Sequence, residues 1–193
     1  NVLRELTHRN KTITSLSIAS IAFGRNAAAD RSIAEGLRSN TTLQQLDLSK
    51  CGLDDQGISV LANALAIRND STLELNLQSN AITSVGVRAM VEDSMGAMKT
   101  LTKLNLWGHA IRSEGATILA DALGRNAMPS LKRLDLSFCG IGDDGFVALV
   151  SALEQNTSLQ ILYLRSNHFG ERGYMALAQS LPNIKGLQEI YIT

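Results

Sequence analysis

The sequence predicts an α/β solenoid, a right-handed horseshoe arc with parallel strands on its concave face and helices on its convex face. Three observations carry this. An apolar anchor recurs at Leu16, Leu46, Leu75, Leu104, Leu134, Leu162 and Ile190, at intervals of 30, 29, 29, 30, 28 and 28 residues, and a fixed period in this range marks stacked supersecondary units. Two residues after each anchor stands a second apolar residue, Ile18, Leu48, Leu77, Leu106, Leu136, Leu164 or Ile192, so each unit holds a short strand whose alternate side chains point inward. Leucines at i,i+4 spacing then follow, Leu61 and Leu65, Leu119 and Leu123, Leu149 and Leu153, Leu177 and Leu181, with Met90 in the third unit, and these predict helices facing the strands. Helices are about 10 Å wide and strands about 4.8 Å apart, so stacking them on opposite sides forces an arc.

Taken in order, residues 1–11 are expected to end a helix of a preceding unit, because Leu3 and Leu6 recur at helical spacing. The first full unit is atypical, with Ala27 where later units place glycine and a longer stretch before Ile33 and Leu37. In the next five units a glycine, Gly57, Gly86, Gly115, Gly145 or Gly173, is expected to open a helix. Two residues before it stand Asp55, Ser84, Ser113, Asp143 or Glu171, read as caps for the free N–H groups of that helix. The acidic pairs Asp54-Asp55 and Asp143-Asp144 therefore read as caps and not as metal ligands, since they lack the alternating oxygens of a calcium loop and the position recurs as serine.

Asn10, Asn40, Asn69, Asn126, Asn156 and Asn183, with Gly96 in the third unit, precede the next strand and are expected to stop helices in the left-handed conformation. Leu73-Glu74-Leu75 is one residue short of the pattern, which predicts a local irregularity. The chain of 193 residues is expected to be one elongated domain, 1–193, of about six full repeats, with a partial helix before them and a lone strand after. Its open ends imply a parent protein that continues in both directions.

Five residues after each anchor stand Ile21, Cys51, Asn80, His109, Cys139 and Asn167, and two further on Phe23, Leu53, Ile82, Ile111, Ile141 and Phe169. The stretch Leu131-Lys132-Arg133-Leu134-Asp135-Leu136-Ser137-Phe138-Cys139-Gly140-Ile141 thus reads L-x-x-L-x-L-x-x-N/C-x-L. On these residues the chain resembles the leucine-rich repeat proteins over almost its whole length. Its unit lengths, the helix after each strand and the mixture of Cys and Asn at the turn make it similar to the ribonuclease-inhibitor-like subfamily. That subfamily includes ribonuclease inhibitor, Ran GTPase-activating proteins, the repeat domains of NOD-like receptors and the C-terminal domain of tropomodulin. The resemblance implies a fold and a class of function, a protein-interaction module or scaffold such as the recognition part of a larger receptor. A GTPase activator of the Ran type is the alternative, although no motif of those activators maps onto residues here.

Lys+Arg and Asp+Glu both number 18, so no net field recruits nucleic acid or an anionic membrane, and neither is expected as a partner. No apolar run approaches the roughly 18 residues of a membrane span. Cys51 and Cys139 occupy one repeat position three units apart, roughly 14 Å by strand spacing, and a disulfide needs its Cα atoms within about 7 Å. They read as free buried thiols and point to a reducing, intracellular, cytoplasmic setting.

Of the histidines, His8 lies at the start and His168 follows a turn residue. His109 stands at the turn position itself, where a ring nitrogen replaces an asparagine amide. No second histidine or cysteine stands at zinc-ligand spacing, and no G-x-S-x-G elbow, phosphate-binding loop or dinucleotide fingerprint is present. No catalytic residue, metal or cofactor is expected, and the chain is read as a non-enzyme.

The outward strand positions point to the partner. One column runs Ser17, Asp47, Asn76, Asn105, Asp135, Tyr163, Tyr191, and the next Ala19, Ser49, Gln78, Trp107, Ser137, Arg165, Thr193. The chain has one Trp, three Tyr and four Phe, and four of those eight fall on this side. Trp107, Arg133, Phe138, Ile161, Tyr163, Arg165 and Tyr191 are therefore the candidate partner-binding residues, because aromatic and Arg side chains dominate binding hot spots. The last strand, Leu187 to Thr193, is expected to be an edge prone to self-association.

Overall fold

The computed structural model describes residues 10–22, 26–66, 72–93 and 99–193. The helix expected ahead of the first strand, with Leu3, Leu6 and His8, lies outside these residues, as do Phe23, Asn69 and Gly96. The strands are β1 (Ser15–Ser17), β2 (Gln45–Asp47), β3 (Leu73–Asn76), β4 (Leu101–Asn105), β5 (Arg133–Asp135), β6 (Ile161–Tyr163) and β7 (Glu189–Tyr191). Between them run α1 (Ala27–Ser39), α2 (Asp55–Leu65), α3 (Ser84–Arg88), α4 (Arg112–Gly124), α5 (Asp143–Gln155) and α6 (Glu171–Ser180).

The strands pair in chain order, every neighbour parallel, in one open sheet of seven. The register sets Leu16, Leu46, Leu75, Leu104, Leu134, Leu162 and Ile190 side by side, so the repeat period is the register. Each helix packs on the next, and helix and strand leucines share one continuous core. The residue missing from Leu73-Glu74-Leu75 is absorbed as a bulge: Leu73 pairs with Leu101 but Glu74 with Lys103, which leaves Thr102 over. In the same unit α3 passes into a π-helical turn, Ala89–Asp93, that carries Met90 and Val91 into the core. Leu181, expected in the core, is exposed. It opens a 3-10 turn, Leu181–Asn183, with Pro182 inside it, and three residues per turn swings Leu181 off the line of Leu177.

The turn position joins one repeat to the next. Asn80 Oδ1 accepts from the N–H groups of Cys51 (2.9 Å) and Leu53 (3.0 Å), while its Nδ2 donates to the carbonyls of Leu48 (2.9 Å) and Leu77 (2.7 Å). Asn167 repeats all four bonds on Cys139, Ile141, Leu136 and Leu164. His109, buried at the same position, faces the Leu77 carbonyl with Nε2 (2.8 Å) and the Ile82 N–H with Nδ1 (3.2 Å). A carbonyl only accepts, so Nε2 carries the proton and Nδ1 is bare. Cys51 and Cys139, both free and buried, donate their thiols to Ile18 O (3.2 Å) and Leu106 O (3.1 Å). Burial pushes the Cys139 thiol up to about 12.

The caps also cross between repeats, which corrects the expectation that each serves its own helix. Asp55 Oδ1 accepts from Thr83 N–H (2.7 Å) and Gly86 N–H (2.9 Å), at the start of α3 and not of α2. Asp143 Oδ1 accepts from Gly170 N–H (2.8 Å) and Gly173 N–H (2.9 Å), at the start of α6. Ser113 Oγ likewise takes Gly142 N–H (3.0 Å), ahead of α5, and Ser84 bonds Glu114 of the next repeat. Own-helix capping falls one residue earlier, to Asp54 on Gly57 N–H and Thr83 on Val85 N–H. The glycines follow from this: a Cβ on Gly86 would lie 2.5 Å from Asp55 Oδ1, and one on Gly145 would lie 2.7 Å from Ser113 Cα. In the atypical first unit Asp30 abuts Gly57, whose N–H Asp54 already holds. One Asp30 oxygen is left buried without a partner, and burial, then Asp54, raises its pKa.

The asparagines before the strands act mainly through their side chains, a second correction. Asn126 is left-handed, at φ 55°, but Asn40 and Asn156 are extended. Asn156 Oδ1 accepts from the N–H groups of Ser158 and Leu159, and its Nδ2 donates to Leu123 O of the preceding repeat (3.1 Å). Asn40 does the same with Thr42, Leu43 and Asn10 O. The left-handed backbone appears instead four residues after each anchor, at Ser20, Lys50, Ser79, Gly108, Phe138 and Ser166, with φ between 54° and 75°.

Three outcomes follow from this geometry. Asn80→Leu leaves four buried backbone groups without their partner and is expected to cost about 1–3 kcal/mol, whereas Cys51→Ala and Cys139→Ala each remove one weak S–H donor and cost less; equal losses in chemical denaturation would count against the ladder. Asp143→Ala is expected to lose about 1 kcal/mol and Asp144→Ala almost nothing, because the exposed Asp144 meets only Arg172. Burial holds His109 below its ordinary 6.5, so the folded chain binds fewer protons than the unfolded one there. Its contribution is present above that value and is lost as pH falls below it. His109→Asn should therefore flatten the fall in unfolding midpoint as pH drops below 6.5, and an unchanged slope would exclude His109 as its source.

Candidate protein-binding face

The face is built from the strands outward. In units two to five the residue after the anchor is held by its own loop: Asp47, Asn76, Asn105 and Asp135 accept with Oδ1 from the N–H of Ser49 (2.9 Å), Gln78 (3.2 Å), Trp107 (2.9 Å) and Ser137 (2.9 Å). These are turn-forming contacts of the Asx type. In units six and seven tyrosine stands at this position. Tyr163 and Tyr191 are set opposite one another by the register and stack at 4.7 Å between ring centroids, 10° from parallel. The Arg165 guanidinium lies 5.0 Å over the Tyr191 ring, and Glu189 accepts the Tyr191 hydroxyl at 2.6 Å, raising its pKa.

Trp107 and Phe138 form the second group, with ring centroids 5.0 Å apart and planes at 51°. Phe138 is 52% exposed and left-handed at φ 57°, a conformation that bulky side chains seldom adopt. Its N–H donates to the Arg165 carbonyl (2.9 Å), which ties the two groups through the backbone. Arg133 is exposed and Ile161 half-buried, neighbours in register in the column before the anchor. The seven candidates thus fall into a Trp107–Phe138 pair, a Tyr163–Tyr191–Arg165 stack, and Arg133 with Ile161 beside them.

Lys103 was absent from the candidates, because a single lysine on a strand reads as a solvated side chain. The register sets it next to Arg133, and the signal was its place one residue before the anchor, the same as that of Arg133 and Ile161. With Asn105, Arg133, Asp135 and Tyr163 it lines a depression of about 230 Å³. A second depression, about 270 Å³, lies over β1 to β4; Ser15, Ser17, Asp47 and Glu74 line it, and Lys103 and Asn105 are shared between the two. Among the described residues no cluster of His, Cys, Asp and Glu is arranged to hold a metal ion, and no helix is long and apolar enough to cross a membrane.

The comparisons with known proteins agree with this architecture. A family model described as Leucine Rich repeat matches residues 39–62, 69–91, 127–150 and 155–178. NACHT, LRR and PYD domains-containing protein 12 of Mus musculus is 32% identical over 158 residues, 80% of this chain and 14% of that protein. Centrosomal protein of 78 kDa of Homo sapiens is 30% identical over 166 residues, 86% of this chain and 23% of that protein. The chain therefore spans less than a quarter of either relative. The solved structure of leiomodin-1 actin-binding site 2 superposes with a TM-score of 0.52 at 19% identity, over 94% of this chain and 86% of that one. The Caenorhabditis elegans tropomodulin C-terminal domain gives 0.51 at 12% identity, over 94% and 90%; both are likenesses of fold. Repeat pattern, family match and fold converge: the chain is a leucine-rich-repeat protein of the ribonuclease-inhibitor-like kind.

Proposed function

We propose that this chain is the protein-interaction module of a longer protein, a scaffold or the recognition part of a receptor, and that its partner sits on the concave face and adjoining loops of the C-terminal half. The observation that carries this is the change at one repeat position. Asp or Asn in units two to five ties down its own loop, and Tyr163 and Tyr191 relinquish that bond to present a stacked pair with Arg165 above it. A repeat that gives up a backbone contact for half-buried rings on the strand face fits selection for binding. Phe138, whose large apolar ring is 52% exposed beside Trp107, adds to it.

The setting we infer is intracellular and reducing, where both buried thiols stay free, with neither nucleic acid nor membrane as partner. The GTPase-activator alternative rests on subfamily membership alone and gains no residue from this face. We also infer that the isolated 193-residue chain self-associates weakly through β7, an edge of the sheet. A concentration-independent monomer in sedimentation would exclude that.

Trp107→Ala and Tyr163→Ala are expected each to weaken a captured protein partner by about 2 kcal/mol or more, against a loss of stability of about 0.5–1.5 kcal/mol from the broken ring contact. Phe138→Gly should weaken it too while raising the midpoint, because glycine occupies φ > 0 without strain. Ser17→Ala and Ser49→Ala should change neither binding nor midpoint. A partner isolated by pull-down that binds all five variants alike places the footprint elsewhere.

A further inference from the structure

We propose that the depression between β4, β5 and β6 receives an acidic segment of the protein partner, with a carboxylate between Lys103 and Arg133 and an adjoining apolar or aromatic side chain against Tyr163. This deepens, and rests on, the strand-face reading above. Parallel pairing sets Lys103 directly opposite Arg133, about 4.8 Å away along the sheet, and like charges so placed repel. Neither makes an ion pair among the described residues, whereas Arg88 and Arg172 on the helices and Arg125 just after α4 are each paired with a carboxylate. Glu74, the other neighbour of Lys103 in register, forms no ion pair with it. An anion seated between the two cations turns the repulsion into attraction.

A third donor faces the same place. Asn105 spends its Oδ1 on Trp107 N–H (2.9 Å), and its Nδ2 is left for an acceptor in the depression that it lines with Lys103 and Arg133. Ammonium, guanidinium and amide together match the acceptor oxygens of a carboxylate. Asp135 lines the depression as well, its Oδ1 bonded to Ser137 N–H, and this one carboxylate stands against the two cations of Lys103 and Arg133. The volume of about 230 Å³ suits one side chain. A nucleic acid fits less well, because Asp47 and Glu74 stand on the same face and would repel a continuous phosphate backbone.

The test is a selection of short random peptides displayed on phage against the whole chain, with synthetic copies of the enriched peptides titrated by calorimetry, which reads the wild type and the Trp107, Tyr163, Lys103 and Arg133 variants alike. Enriched peptides should pair Asp or Glu with an aromatic or leucine. Their affinity should fall about tenfold or more for Lys103→Glu and for Arg133→Glu, stay near wild type for Lys103→Arg, and weaken with added salt. Both glutamate variants change exposed side chains, and an unaltered unfolding midpoint shows that the fold is intact. Peptides that depend on Trp107 and Tyr163 but are neutral or basic would overturn the acidic assignment and leave the strand-face reading standing. Peptides indifferent to Trp107, Tyr163, Lys103 and Arg133 alike would overturn both. A single-stranded oligonucleotide that displaces the peptides at equal concentration would reassign the depression to polyanions.

Discussion

A chain that leaves a strand and turns sharply inside a stacked fold buries N–H and C=O groups that no helix or ladder can satisfy, and such groups are costly when left alone. Here one side chain per repeat meets that cost for the repeat before it. Asn80 serves four backbone groups across two units, Asn167 does so again, and His109 and the two thiols serve fewer. Because three of the four bonds of each asparagine run to the unit before it, no repeat is complete by itself. Stability therefore resides in the interfaces between neighbours, the behaviour expected of a one-dimensional array.

The same dependence governs the helix starts. A cap that serves its own helix needs nothing from its neighbour, but Asp55, Ser113 and Asp143 reach forward to the next repeat. That reach needs a first helical turn with no side chain in the way, which the glycines provide at the cost of helix propensity. One carboxylate thus sets both the spacing of adjacent helices and the identity of a residue about 30 positions later. Where the pattern slips, in the first unit, Asp30 arrives at a helix start whose N–H is already taken and keeps a raised pKa as the trace.

This division between local and cross-repeat chemistry explains what was legible in the sequence. The anchors Leu16 to Ile190 fell in register because burial acts on each residue through its own periodicity, and the short Leu73-Glu74-Leu75 announced the bulge at Thr102 by simple counting. The direction of the caps was hidden, because Asp55 stands beside the helix it does not cap and its true acceptor role depends on a contact 31 residues away. The left-handed position was hidden as well: five of its six occupants are Ser, Lys or Phe, none of which announces φ > 0 as glycine does. On the face, large aromatics stood out by scarcity. Lys103 did not, since its meaning comes from the neighbour that the register gives it.

The face also shows where a repeat protein is free to change. A side chain in the core or in the turn ladder answers to the units on both sides, so substitution there disturbs three repeats at once. The position after the anchor answers to its own loop through an Asx contact worth about 1 kcal/mol, and across repeats only where Asn76 Nδ2 donates to Asp47 Oδ1 among the described residues. Forgoing that contact in units six and seven is inexpensive beside the aromatic surface it makes available, and the Tyr163–Tyr191 stack returns part of the loss at about 0.5–1.5 kcal/mol. The lowest cost of change in the repeat thus coincides with the side chains that face outward from the strands, and the aromatic groups have accumulated in that column and the one beside it while the leucine ladder beneath them is kept.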